Sequence, residues 1–161
     1  MLMKTYKYKF TKTMTAFIWI GIALSVAAFA VNTYFVFTEG IGEAANALYP
    51  ILRYVLMYFV SAAAFVILLS LILSSHYQIT GTKFKTSFGI IKSTYDIEKI
   101  ESVVLDRKTK KLSVYFDDKN FIVIVVKEEW YEDFIDELLK ANNKIEYTIN
   151  SKENDIDEEK K

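Results

Sequence analysis

The chain of 161 residues contains no cysteine, which excludes disulfides, thiolate nucleophiles and thiolate metal sites. Its single histidine, His76, excludes a His-rich metal centre and leaves one imidazole as a candidate base. The five glycines and one proline form no Gly-rich phosphate loop, and neither a nucleophile elbow nor metal-ligand spacing is present. Net charge is also lacking: twenty Lys and Arg balance twenty Asp and Glu. A nucleic-acid binder would show a dominant basic face, so that class is set aside.

The zero net charge hides a gradient. Residues 1–13 hold Lys4, Lys7, Lys9 and Lys12 and no acid, residues 75–151 hold twelve basic and thirteen acidic groups, and the last ten hold five acids and three Lys. The apolar content, 52% of the chain, is concentrated in two runs. Met14–Phe37 is 24 residues without a charge; at about 1.5 Å per residue it exceeds the ~30 Å hydrocarbon core. A signal-peptide h-region spans only about 7–15 residues. Although Ala28-Phe29-Ala30 resembles a cleavage site, the apolar run continues through Val31–Phe37 with aromatics suited to an interfacial belt. The segment therefore reads as a retained helix. Residues 38–50 form a short external loop whose Pro50 suits the first turn of a second helix. That helix covers 51–74, with no ionisable group beyond tyrosine from Tyr54 to Ser74.

Four Lys before the first span against one Arg (Arg53) beside the second place the N-terminus inside. Two crossings return the chain to the cytoplasm, as Lys83, Lys85 and Lys92 agree. Small residues (Gly21, Ala23, Ser25, Ala27 and Ala28; Ser61–Ala64) allow close helix–helix approach. Asn32, the sole amide within the spans, reads as an interhelical hydrogen-bonding group.

The texture changes within Leu71–Thr80. From Tyr77 onward, β-prone alternation predicts strands over 77–80, 82–88, 90–95, 101–106, 112–116 and 121–126, with a turn capped by Asp96 and a basic turn at Arg107–Lys111. From Glu128 to Asn142 the period becomes helical, with apolar residues at 130, 131, 134, 135, 138 and 139 and acids in the first turns. Residues 145–149 form a further extended segment, and the charged tail 150–161 reads as disordered. The predicted organisation is thus a basic cytoplasmic tail (1–13), helices at 14–37 and 51–74, and a cytoplasmic α+β domain at 76–149.

Short strands followed by one amphipathic C-terminal helix resemble the bacterial pleckstrin-homology-like (bPH) domains of small two-helix membrane proteins. The residues that carry the resemblance are Tyr77-Gln78-Ile79-Thr80, Phe88-Gly89-Ile90-Ile91 and Tyr95–Val103, then Trp130, Phe134, Leu138 and Asn142-Asn143-Lys144-Ile145. The resemblance implies a PH-like sheet or barrel of five to seven strands, two membrane helices before it and no catalytic residues. Eukaryotic relatives in fold bind phosphoinositides through basic residues in the first strand loop. Here that turn is Thr80-Gly81-Thr82, short and uncharged, so that recognition does not carry over.

The candidate lipid-headgroup contacts are Lys4, Lys7, Lys9 and Lys12 beside the span, and Arg107, Lys108, Lys110 and Lys111 in the basic turn; each cation near an anionic leaflet contributes about 1 kcal/mol. His76 lies at a helix exit, where a polar residue is ordinary. Trp130 and Tyr131 fit helix-face packing, and Asp117-Asp118 and Glu128-Glu129 fit a solvated turn and a helix start. The expected function is a non-catalytic binding or assembly module at the inner leaflet, with no cofactor. Its partners would be the bilayer and either a protein or a second copy. The alternative is an accessory or regulatory subunit of a transporter or envelope-stress system, acting through the helices.

Overall fold

The structure, a computed structural model, describes residues 3–39, 48–116 and 120–150. They divide into two compact units, one of helices with the segment Phe88–Ile91, the other of sheets with the N-terminal residues.

In the first unit, α1 (Lys12–Glu39) and α2 (Leu48–Ser74) are both longer than the charge-free runs, and Pro50 falls in the first turn of α2. The two helices are long and apolar enough to cross a membrane. Within the structure 17% and 6% of their most apolar windows are buried, so most of that apolar surface is exposed. They pair antiparallel: Asn32 Nδ2 donates to the Tyr54 carbonyl at 3.4 Å, Tyr58 Oη donates to Thr33 Oγ1 at 2.9 Å, and Gly21 faces Leu68. A Cβ on Gly21 would sit 2.8 Å from Leu68 Cδ1, which is the close approach that small residues permit. Ser25 and Ser61 instead donate to carbonyls one turn back on their own helices, those of Gly21 and Met57.

The second unit is α+β and has eight strands among the described residues, more than the five to seven expected. One sheet has the order β1-β2-β3-β4, from Lys4–Lys7, His76–Thr80, Lys83–Phe88 and Ile91–Asp96. The other has the order β7-β6-β5-β8, from Phe121–Ile124, Lys111–Tyr115, Ser102–Asp106 and Glu146–Asn150. Period-2 burial drives the pattern: Tyr77 and Ile79 of β2, Val103 and Leu105 of β5 and Leu112 and Val114 of β6 all point into one core. Helix α3 (Tyr131–Ala141), preceded by a 3₁₀ turn at Glu128–Trp130, covers that core with Tyr131, Phe134, Ile135 and Leu138. This is the i, i+3, i+4, i+7 stripe of an amphipathic helix. Asp96 precedes a 3₁₀ turn at Ile97–Lys99, but its side chain makes no capping bond; it lies 3.8 Å from Lys83 Nζ instead.

Two strands change the expected organisation. The first 13 residues are more than a basic tail, because β1 pairs antiparallel with β2, Tyr6 opposite Tyr77 and Lys7 opposite His76. Tyr6 is the reason: its ring is buried, 5.0 Å edge-on to Phe134 and 6.4 Å from Trp130. At the other end, β8 runs parallel to β5, so Asn150 closes the sheet where a disordered tail was expected to begin. Residues 1–2, 40–47, 117–119 and 151–161, on which most of the expected external segment and of the expected charged tail fall, lie outside the described residues.

Candidate functional site

Three of the eight basic candidates, Lys4, Lys9 and Lys110, make ion pairs among the described residues. Lys4 Nζ contacts Asp133 Oδ1 at 2.6 Å and Glu137 Oε1 at 3.2 Å, which ties β1 to α3. Tyr6 Oη donates to Asp133 Oδ2 at 2.8 Å. Lys9 and Lys110 converge on Glu128, at 4.0 and 3.0 Å. The Arg107–Lys110 turn is held by Asp106 Oδ1, which accepts the N–H groups of Lys108 and Thr109 at 2.9 Å and is thereby kept below the usual carboxylate range. Lys110 adopts φ +53, and its carbonyl accepts the Tyr131 hydroxyl at 2.9 Å. Lys7, Lys12, Arg107, Lys108 and Lys111 make no ion pair among the described residues. Trp130 lies under Lys127 Nζ at 5.1 Å and packs on Tyr6 at 6.4 Å. His76 is a half-buried strand residue opposite Ser87.

The Lys4–Asp133 contact carries a pH prediction. Lys4 Nζ, then the Tyr6 hydroxyl, hold the Asp133 carboxyl below its ordinary 3.8. A depressed carboxylate contributes stability above its unfolded value and loses it as pH falls through the folded one. Acid titration of Trp130 fluorescence should therefore show β1 loosening only below about pH 4, where carboxyl groups titrate. In Asp133→Asn that step should shrink to the part that Glu137, the other carboxylate on Lys4, contributes; an unchanged titration would remove Asp133 from the clamp. Because both side chains are well exposed, the effect on total stability is small.

A groove of about 540 Å³ opens between β4 and β7. Its apolar lining comes from Tyr95 and Phe116, whose ring centroids are 4.8 Å apart, and from Phe121 and Ile122. Asp96 and Lys99 put one charge of each sign beside it. Phe121 is 54% exposed and stacks on Tyr115 at 5.3 Å.

The main chain along this groove follows from register. The Phe116 N–H donates to the Asn120 carbonyl at 2.9 Å, and β6 pairs with β7 through Val114–Ile122 and Leu112–Ile124. Bonded and non-bonded pairs alternate in an antiparallel ladder. Phe121, Val123 and Val125 therefore turn their N–H and C=O groups away from β6. At Val125 those groups are occupied: its carbonyl accepts the Lys9 N–H at 2.8 Å, and its N–H donates to Tyr77 Oη at 3.3 Å. Burial pushes the Tyr77 hydroxyl up to about 12, so it is protonated at neutral pH. At Phe121 and Val123 the outward groups have no main-chain partner among the described residues.

Of the four edge strands, β1 carries Lys4 and Lys7, β4 carries Lys92 and Asp96, and β8 carries Glu146; β7, Phe121–Ile124, carries no charge. Charged residues on an edge block unwanted pairing, and β7 lacks that protection. Sequence reasoning recognised this strand but not its open edge; the only local signal was the charge-free run Phe121–Val126. In the helical unit, an apolar groove of about 350 Å³ lies between Ser25, Phe29, Ser61 and Phe65. No family model matches this chain, and no curated protein or solved structure matches it either.

Proposed function

We propose that this is an integral membrane protein of two spans whose sheet-and-helix unit is a PH-like, non-catalytic binding and assembly module at the cytoplasmic face. The observation that carries the binding role is the uncharged β7 edge beside the aromatic groove. An extended polypeptide adds to such an edge by main-chain bonds, while pockets read its alternate side chains. Two sheets around one core with a single covering helix support a PH-like arrangement, to which β1 and β8 are additions. The topology is supported by β1–β2 pairing. Residues before α1 and after α2 share one sheet, so both flanks occupy one compartment and the number of crossings is even. The four Lys of residues 1–13 make that compartment the inside. Cleavage after Ala30 would remove β1 and expose the core under Tyr6, which favours retention of α1.

A reporter fused after Lys161 in the full chain should be active only in the cytoplasm; an external signal would overturn the orientation. For binding, a photocrosslinker at Phe121 of the full-length chain in its own membrane should capture a polypeptide, whereas one at exposed Lys85 should not. Capture from neither position, or equally from both, would defeat the β7 assignment. Capture from the helices alone would favour a function centred on α1 and α2.

A further inference from the structure

We propose that the polypeptide taken by the β7 edge is a second copy of this chain, paired β7 to β7 antiparallel about a two-fold axis at Ile122. The proposal rests on the binding-module reading above and names its partner.

The free window supplies the geometry. It offers the outward groups of two residues, Phe121 and Val123, either side of Ile122, whose own groups point back to Val114. Under a two-fold axis at Ile122, Phe121 faces the partner copy's Val123 and Val123 faces its Phe121. Both become hydrogen-bonded pairs, each exchanging two bonds, for roughly four main-chain bonds in all. The two four-stranded sheets then become one of eight. Beyond Val123 the edge is taken by Lys9, so pairing ends after this window on both copies.

The side chains agree with that register. Phe121 and Val123 lie on one face of the sheet, since they pair with Tyr115 and Ser113. Pairing across the axis sets an aromatic ring beside a β-branched residue twice, a combination that contributes about 0.2–1 kcal/mol per pair. With no charge on either strand, no like-charge contact opposes it. The interface is isologous, as a closed dimer requires, and anchoring both copies in one bilayer raises their effective concentration. The chain's own C-terminal residues 151–161 do not suit the window, because their single apolar residue, Ile156, is flanked by Asp155 and Asp157.

Single-cysteine crosslinking tests this cleanly, because the chain has no cysteine of its own. At the axis, Ile122 faces its own counterpart as a non-hydrogen-bonded pair, with Cα atoms about 4.5 Å apart. That separation falls within the disulfide range of about 4.4–6.8 Å. Ile122→Cys in the full-length protein, oxidised in its membrane, should run as a dimer on a non-reducing gel. Lys85→Cys on β3 and Thr148→Cys on β8 should stay monomeric. Ile122 is partly buried, so a second arm avoids it: co-expressed Phe121→Cys and Val123→Cys chains should crosslink to each other. In the Ile122→Cys chain, a further Val123→Pro substitution removes one outward N–H while leaving the β6 ladder intact, as proline on an edge strand allows; the dimer should be lost. Monomers in both arms would overturn self-pairing, as would a crosslink to a different polypeptide. A different polypeptide captured at Phe121 leaves the binding-module reading standing; no capture there at all ends both.

Discussion

Phe134→Ala should destabilise the sheet-and-helix unit by about 3–5 kcal/mol, the range for truncating a buried aromatic ring. Small domains have only about 5–15 kcal/mol in total, so much of the margin would go. Phe134 is fully buried on the core face of α3. Three rings meet it edge-on: Tyr6 at 5.0 Å, Phe84 at 5.9 Å and Tyr77 at 6.3 Å. Those rings come from β1, β3 and β2, so one side chain joins three strands to the helix. Edge-to-face pairs add about 0.5–1.5 kcal/mol each beyond burial. Denaturant unfolding of the full chain should show the loss, followed by Trp130 fluorescence with Trp19→Phe to leave one reporter. Phe134→Leu, which keeps more volume, should cost less. An unchanged midpoint for the alanine variant would mean that this ring is not the centre of the core.

Gly89→Val should displace the segment Phe88–Ile91 from the end of α2. Gly89 has φ +60, and a Cβ there would lie 2.9 Å from Ser70 Oγ, 3.0 Å from Leu71 Cδ2 and 3.4 Å from the Leu71 backbone nitrogen. A β-branched residue in this left-handed conformation costs about 1–3 kcal/mol, and overpacking adds about 1–3 kcal/mol. The Ser70 hydroxyl is already engaged with the Ile67 carbonyl at 2.7 Å, and the backbone nitrogen has no room to give. The Gly89 N–H also donates to the buried Ser75 Oγ at 3.0 Å, a bond the shifted segment would lose. Hydrogen exchange should show faster exchange across Phe88–Ile91 while Val103 and Val114 stay protected. Protection retained throughout the segment would show that the close contact is not part of the native state.

Much of this fold is legible in local pattern. Charge-free runs longer than a bilayer core mark α1 and α2. The spacing of Tyr131, Phe134, Ile135 and Leu138 marks α3, and alternation around Gly81 marks the β2–β3 hairpin. Each depends on side chains a few residues apart. The basic residues were found too, but not what they do: Lys4 looks like a topological flank until Asp133 and Glu137 are brought beside it.

What the amino-acid order determined by itself is therefore the set of elements whose burial follows a period of 3.6 or 2, together with the division into an apolar and a mixed half. Tertiary structure alone decided three further things: that residues 4–7 form a strand, that β8 joins β5 in parallel, and that β7 keeps an open edge. Strand β1 has a single buried residue, Tyr6, between two Lys, and its partner lies some seventy positions away. Strand β8 is exposed along its whole length, so the extended segment at 145–149 is legible but no buried face signals its pairing with β5. The free groups of Phe121 and Val123 depend on the parity of the β6–β7 register. Periodicity reports where side chains go, whereas main-chain pairing is set by distant segments meeting in register, and the candidate site is made of main chain.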